Sequence, residues 1–290
     1  MDEYVNLSEP PTTETPATRL IAECPTCAAP RSGAYCAACG EKFLRTADLE
    51  LRHFFFEQLP HELLHVDGKL PRTLRSLVTR PGELAVDYVS GRRQPYLGPL
   101  RLYLVVFLVH VFISGLLTAP PLDLPARAQM IDTTGLIAHI VAGRPEVDWA
   151  NPALKEKLAV RSHWLAEVGT MLIFLFVALA QQLLLRRFHR RYLEHVALAL
   201  NVSTFYLLIV AAGELVLLIT AQQEFGTLDL VLREVVGGIA LPVYWYFAIR
   251  RFYGAGAWRA VPDTLLVTAS HVLLAILTNV AVFALLIETA

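Results

Sequence analysis

The sequence predicts an all-α integral membrane protein with about five transmembrane helices, a small N-terminal zinc ribbon and short juxtamembrane helices. Three observations carry this expectation. The chain has 290 residues, of which 55% are hydrophobic, with a mean hydropathy of +0.47; soluble domains have an apolar share nearer ~45–50%. The apolar residues gather into runs of spanning length. Leu102 to Thr118 holds no Asp, Glu, Lys or Arg, about what is needed to cross a ~30 Å hydrocarbon core at 1.5 Å per residue. Finally, all four cysteines fall between Cys24 and Cys39, so they make one site rather than a dispersed disulfide framework.

Residues 1–23 carry Asp2, Glu3, Glu9 and Glu14 with prolines at 10, 11 and 16. A secretory signal needs a basic start and an apolar run, and this stretch has neither, so it is expected to be a disordered, uncleaved tail. Residues 24–42 then form the ribbon: Cys24-Pro25-Thr26-Cys27, eight residues, and Cys36-Ala37-Ala38-Cys39-Gly40. Two C-x-x-C pairs this close suit two tight knuckles around one tetrahedral Zn²⁺, bound by four thiolates at ~2.3 Å. Gly40 suits the left-handed conformation that closes the second knuckle, whereas the first has Ala28 there. With too few residues for a core, the segment would draw its order from the metal. Disulfides fit poorly with a cytosolic head, and iron or redox cycling has no support in the sequence. Nucleic acid is not expected as a partner. The net charge of −1 argues neither way, but Arg31, Lys42 and Arg45 are too scattered for a binding ribbon.

Residues 43–98 read as cytosolic, amphipathic juxtamembrane helices. Thr46 or Asp48 suits the cap of a helix carrying Leu49, Leu51, Phe54, Phe55 and Leu59 before Pro60. Phe54-Phe55-Phe56 suits burial or insertion among lipid headgroups. Two further short helices are expected over Pro71 to Val78 and Pro81 to Val89, each with Pro near its start. Arg72, Arg75, Arg80, Arg92 and Arg93 place positive charge beside the membrane, each attracting anionic lipid by ~1 kcal/mol. One motif in this stretch points to chemistry. His61-Glu62-Leu63-Leu64-His65 is an H-E-x-x-H, which on a helix sets two imidazoles on one face with Glu62 as general base of a zinc hydrolase. Its context is poor. Pro60 precedes the first histidine, Asp67-Gly68 ends the helix, and only His53, Asp67 and Glu83 offer a third ligand. A membrane-anchored zinc hydrolase stays an alternative, and the chain points away from an enzyme, with no catalytic residues assigned.

The membrane domain is expected over residues 99–290, with spans at about 101–118, 165–185, 196–220, 230–249 and 264–287. The first connection, 119–164, is an extracytoplasmic segment of balanced charge that begins with Pro120, Pro121 and Pro125. Pro242 is expected to bend the fourth span. Lys and Arg placement sets orientation. The segment before the first span holds many, mostly Arg, 186–195 holds four arginines, and 250–263 holds Arg250, Arg251 and Arg259. The 221–229 turn has neither residue, and the C-terminal end has only Glu288. Five spans with the N-terminus in the cytoplasm and the C-terminus outside satisfy every short loop. The cysteines are then in a reducing compartment, able to bind metal.

C-x-x-C, C-x-x-C-G, Leu74 to Pro81 (LRSLVTRP) and Tyr88 to Leu102 (YVSGRRQPYLGPLRL) together resemble a bacterial family of uncharacterised multi-span membrane proteins, a domain of unknown function with an N-terminal zinc ribbon. The resemblance covers roughly residues 24–118. It implies a bacterial inner-membrane location and a cytosolic ribbon at Cys24, Cys27, Cys36 and Cys39, and it implies no activity.

Polar groups inside spans are the other functional suspects, because burying them in lipid is costly. His110 lies midway through the first span and Glu214 in the outer half of the third. His271 and Asn279 lie on the fifth, and Gln181 and Gln182 near the inner end of the second. One reading pairs Glu214 with Arg233 or His110 as interhelical glue, while the amides bond across helices for ~0.6 kcal/mol apiece. The other makes the chain a small transporter or permease component using Glu214 and His110, with His271 on the same polar path. Gly237-Gly238, Ala211-Ala212-Gly213 and Ser203 offer small faces for close packing. Overall the sequence supports a polytopic inner-membrane protein of unknown activity, with a structural, docking or regulatory role. Its expected partners are the bilayer, anionic lipids at the cytosolic face and a protein that meets the ribbon.

Overall fold

The computed structural model describes residues 23–30, 33–43, 68–117, 151–220 and 237–288. Seven α-helices fall within them: α1 (Leu70–Thr79), α2 (Glu83–Ser90), α3 (Pro99–Leu116), α4 (Pro152–Leu184), α5 (Tyr192–Ile219), α6 (Gly237–Tyr253) and α7 (Ala257–Glu288). The described residues contain no strand beyond isolated antiparallel bridges at Glu23–Pro30 and Tyr35–Lys42. The all-α membrane architecture expected from the sequence is therefore the one observed. Four helices, α3, α4, α5 and α7, are long and apolar enough to cross a bilayer. The expected fourth span corresponds to α6, described over 17 residues; its predicted start at 230 lies outside the described residues. So do the N-terminal tail, Phe54 to Phe56, the H-E-x-x-H at 61–65, most of the 119–164 segment and Arg233.

Helix starts follow local chemistry. α3 begins with Pro99, whose fixed φ and missing N–H cost nothing in a first turn. α4 begins thirteen residues before the predicted span, inside the expected loop, because Asn151 caps it: its side chain accepts the N–H of Ala153 at 2.9 Å, with Pro152 next. Pro262 lies within the second turn of α7, where it leaves the helix intact.

α5 is the axis of the bundle. It packs against α3, α4, α6 and both short helices, and α7 closes the far side against α4 and α6. Val196, Leu198, Ala199, Leu200 and Val202 on α5 have no exposed surface, the pattern of a helix apolar all round that is buried all round. By contrast, Leu108 and Phe112 on α3, Leu172 and Phe176 on α4, and Leu273 and Ile276 on α7 face outward, as suits contact with lipid rather than water.

At one end of the bundle the arginines gather. Arg187 pairs with the buried Asp263, and an Arg190 guanidinium N–H donates to the Phe252 carbonyl at 3.2 Å. α1 and α2 dock at this same basic end. The Tyr244 hydroxyl donates to the Leu77 carbonyl at 3.0 Å, and Arg251 donates to the Pro81 carbonyl at 3.2 Å. The short helices thus cap the spans as part of the core rather than as free amphipathic segments.

Candidate functional site

Two constellations stand out among the described residues, and they occupy opposite ends of the molecule's logic: one lies in the head, the other within the spans. In the head, each C-x-x-C closes a tight turn. The Ala28 N–H donates to the Cys24 carbonyl and the Gly40 N–H to the Cys36 carbonyl, both at 2.9 Å. Ala28 and Gly40 both take positive φ, 59° and 75°, so the two knuckles share one geometry although only the second has glycine at that place. The sulfurs converge. Cys24 Sγ lies 3.6 Å from Cys39 Sγ and Cys27 Sγ 3.5 Å from Cys36 Sγ, and all four lie within 4.8 Å of one another. All four are free thiols, and these separations are far from the ~2.05 Å of a disulfide. The backbone N–H of Cys39, against the effect of burial, holds the Cys36 thiol down to about 7. The Glu41 N–H pulls Cys39 the same way, but burial and the three neighbouring sulfurs push it up to about 12. Such crowding keeps four thiolates from coexisting unless a cation sits among them. The cluster is compatible with a bound metal ion.

Among the described residues the ribbon has a very small apolar core, Cys24, Cys36 and Phe43 with Ala29 and Cys39 against them. Among the same residues, Glu41 ties it to the loop before the first span. This buried carboxylate accepts hydrogen bonds at one oxygen, Oε2, from the Thr26 hydroxyl of the first knuckle (2.6 Å) and from the backbone N–H groups of Arg93 (3.1 Å) and Gln94 (2.8 Å). The receiving loop is itself shaped. Gly91 takes a φ of 91° to end α2, and the Arg93 guanidinium stacks 3.9 Å over the Tyr88 ring. One side chain therefore joins both knuckles to the loop that opens the first span.

Within the spans, His110 of α3 sits between two carboxylates from two other helices. Its Nδ1 is 2.9 Å from Oε2 of Glu214 on α5, and its Nε2 is 3.5 Å from Oε1 of Glu167 on α4. The three residues are 7%, 3% and 8% exposed. The pairing of Glu214 with His110 was one of the two expected partners. Glu167 was missed, although a lone carboxylate inside the predicted span 165–185 was signal enough. His271 stands elsewhere, near the rings of Trp245 and Tyr206 with centroids 6.4 and 6.3 Å away. It lines a cleft of about 620 Å³ between α3, α4, α5, α6 and α7. Ser203, Thr268 and Asn279 share that wall, and so do Ala166 and Thr170, which flank Glu167 on α4. Gln181 belongs to a third, smaller network at the basic end. His195 Nδ1 is 2.7 Å from the Tyr253 hydroxyl, which lies 3.4 Å from the Gln181 Oε1.

Residues 67–111 match the model of a family described as "Protein of unknown function (DUF3667)". The matched stretch contains α1, α2, the loop that Glu41 holds and the first span as far as His110. It leaves out the ribbon, Glu167 and Glu214, so it is narrower than the 24–118 resemblance read from the sequence. No curated protein and no solved structure matches the chain.

Proposed function

We propose that the chain is a multi-pass bacterial inner-membrane protein, not an enzyme, whose cytosolic ribbon at residues 24–42 is held by structural zinc and acts as a docking or regulatory head. Tetrahedral Zn²⁺ with ~2.3 Å bonds to sulfur sets neighbouring sulfurs about 3.8 Å apart, close to the 3.5 and 3.6 Å here. Four protein thiolates leave no open position for substrate, so Cys24, Cys27, Cys36 and Cys39 would hold the ion for shape rather than chemistry. The observation that carries the proposal is the Glu41 contact: a metal-ordered head would have little reason to grip the loop before the first span unless the two act together. The basic end faces the cytosol by the distribution of Lys and Arg, with anionic lipid around it and a protein partner on the exposed side of the ribbon. Metal analysis of the purified full chain tests the site. One zinc per chain, lost in Cys24→Ser, is expected; absence of stoichiometric zinc sinks the proposal.

A second reading, a small transporter or permease component, is favoured by one observation, the His110–Glu167–Glu214 arrangement beside a cleft of about 620 Å³. Intramembrane ionisable groups facing a bundle interior mark solute or proton paths. Glu214→Gln that leaves every measurable flux in vesicles unchanged removes this reading. The H-E-x-x-H hydrolase predicts a second zinc per chain, independent of the cysteines, which the same metal analysis decides.

A further inference from the structure

We infer that the cleft of about 620 Å³ between α3, α4, α5, α6 and α7 binds a membrane-soluble amphiphile with an uncharged, oxygen-bearing head. Its size falls in the range of small-ligand sites, ~300–1,000 Å³. Three side chains on its wall point to that ligand. His271 Nδ1, Ser203 Oγ and Thr268 Oγ1 are buried with no hydrogen-bond partner among the described residues, and His271 and Ser203 are only 5% and 3% exposed. Every other serine or threonine on α5 and α7 serves itself: Thr204, Thr264, Ser270 and Thr278 each donate to a carbonyl three or four residues back. An unmet polar group costs most where no water reaches it, as within a bilayer. A ligand head that bonds to these three groups removes that cost.

The three groups gather at one end of the cleft. α5 and α7 both run away from the basic end, α5 starting just after Arg190 and α7 carrying Asp263, the partner of Arg187, in its second turn. Thr268 lies one turn before His271, and Ser203 one turn before Tyr206, whose ring is 6.3 Å from that of His271. Fully buried Trp245 packs edge-on to the same imidazole at 6.4 Å. Beyond His271 the α7 wall continues through Val272, Ala275 and Ile276 to Val282, roughly 16 Å at 1.5 Å per residue. Its polar donors along that length are committed: the Thr278 hydroxyl donates to the Leu274 carbonyl at 2.8 Å and the Asn279 amide to the Ala275 carbonyl at 2.9 Å. The cleft thus has a polar head end and an apolar body. Among the described residues no Asp, Glu, Lys or Arg lines it, so a charged head would lose its hydration with nothing to offset the loss. Val272 and Ile276 are half-exposed on the lipid-facing side of α7, which opens the site to the hydrocarbon layer. The site stands apart from the zinc head and from the His110–Glu167–Glu214 group, and it needs neither metal nor flux.

Thermal unfolding of the full chain in detergent tests this with three probes: decylubiquinone (carbonyl head), dioctanoylglycerol (hydroxyl head) and dioctanoylphosphatidylglycerol (anionic head). A saturable rise in Tm with at least one uncharged probe is expected, and which of the two acts tells a quinone-like ligand from a glyceride-like one. Ser203→Ala and Thr268→Val remove hydroxyls that hold no protein partner, so the unliganded Tm is expected to stay or rise. Each is expected to weaken the uncharged probe about two- to tenfold and to leave any effect of the anionic probe unchanged. Ala275→Phe fills the apolar end and is expected to abolish the shift. No shift from either uncharged probe overturns the proposal, and so does a shift indifferent to both hydroxyl substitutions, which is plain lipid solvation. A fall in the unliganded Tm of Ser203→Ala and Thr268→Val also overturns it, because the hydroxyls would then already hold partners. Where Ala275→Phe does not fold, the two hydroxyl variants decide.

Discussion

Glu41 and Gln94 are 53 residues apart in sequence, yet the Gln94 N–H donates to the Glu41 carboxylate at 2.8 Å. The same oxygen receives Arg93 N–H and the Thr26 hydroxyl, so a single oxygen serves three donors. Hydrogen bonds to charged groups contribute about 1.5–3 kcal/mol net. Glu41→Ala is expected to lower the stability of the head by that order while leaving the four-thiolate site intact, because no cysteine is touched. Thermal unfolding alongside zinc content checks it. Loss of metal together with stability would mean that Glu41 shapes the ribbon rather than attaching it.

Metal removal is expected to act at the same loop from the other side. The ribbon has too small a core to persist alone, so chelation or Cys24→Ser should free Glu41 and expose the amides of Arg93 and Gln94. Hydrogen exchange should rise at those two residues, while the buried centre of α5, around Leu198 to Val202, keeps its protection. Unchanged exchange at Arg93 and Gln94 would uncouple the head from the membrane domain.

Features that depend on local pattern were legible in the sequence; those made by distant residues were not. Apolar runs of spanning length placed α3 and α5 closely and α7 except for its first two turns, since spanning length is a one-dimensional property. The four cysteines were legible for the same reason, as spacing alone brings them together. The early start of α4 was hidden in a charged stretch, although Asn151-Pro152 is a capping pair. Small residues gave a mixed signal: Ala211 and Ser203 are buried on α5, whereas among the described residues a side chain at Gly238 meets nothing, and the tight approaches are Gly169 to Thr278 and Gly82 to Ala248. Which glycine is crowded depends on what crosses it. Glu41 was invisible for the same reason, because nothing near it in sequence announces Gln94.

The first knuckle can be improved. Ala28 holds a φ of 59° where its counterpart Gly40 holds 75°, and the left-handed region costs a residue with a Cβ roughly 1–2 kcal/mol. Ala28→Gly is expected to recover about that much, raising metal affinity several-fold without altering stoichiometry. Competition against a chromophoric chelator measures it. Weaker binding would show that the Ala28 side chain contributes packing that outweighs the strain.

Asp87 gives the juxtamembrane cap a pH dependence. Burial raises its pKa above the ordinary value, with Arg92, 3.4 Å away and half-exposed, pulling it only part of the way back. The sign follows from proton counting. Between the ordinary pKa of ~3.9 and the raised value the folded state holds more protons than the unfolded, so stability falls as pH rises through that window. Asp87→Asn should flatten the dependence and raise Tm at neutral pH, whereas Arg92→Ala should steepen it. Tm measured between about pH 4 and about pH 7 separates the three proteins.

Gly82 holds the cap against the spans, and two substitutions isolate how. It takes a φ of 78°, and a Cβ built on it would lie 2.9 Å from both the Cα and the carbonyl oxygen of Ala248 on α6. Neither atom belongs to a flexible side chain, so helix α6 or the α1–α2 turn must shift. Around that contact the Tyr244–Leu77 and Arg251–Pro81 hydrogen bonds would be drawn apart as well. Gly254 has a similar φ of 65° but open space where a Cβ would go. Gly254→Ala is therefore expected to cost only the backbone term, roughly 1–2 kcal/mol. Gly82→Ala adds the clash, typically 1–3 kcal/mol more for overpacking, and should release the cap first, seen as faster hydrogen exchange in α1 and α2. Equal costs for the two substitutions would mean that the cap yields at Ala248 without resistance, and that Gly82 is needed for its turn alone.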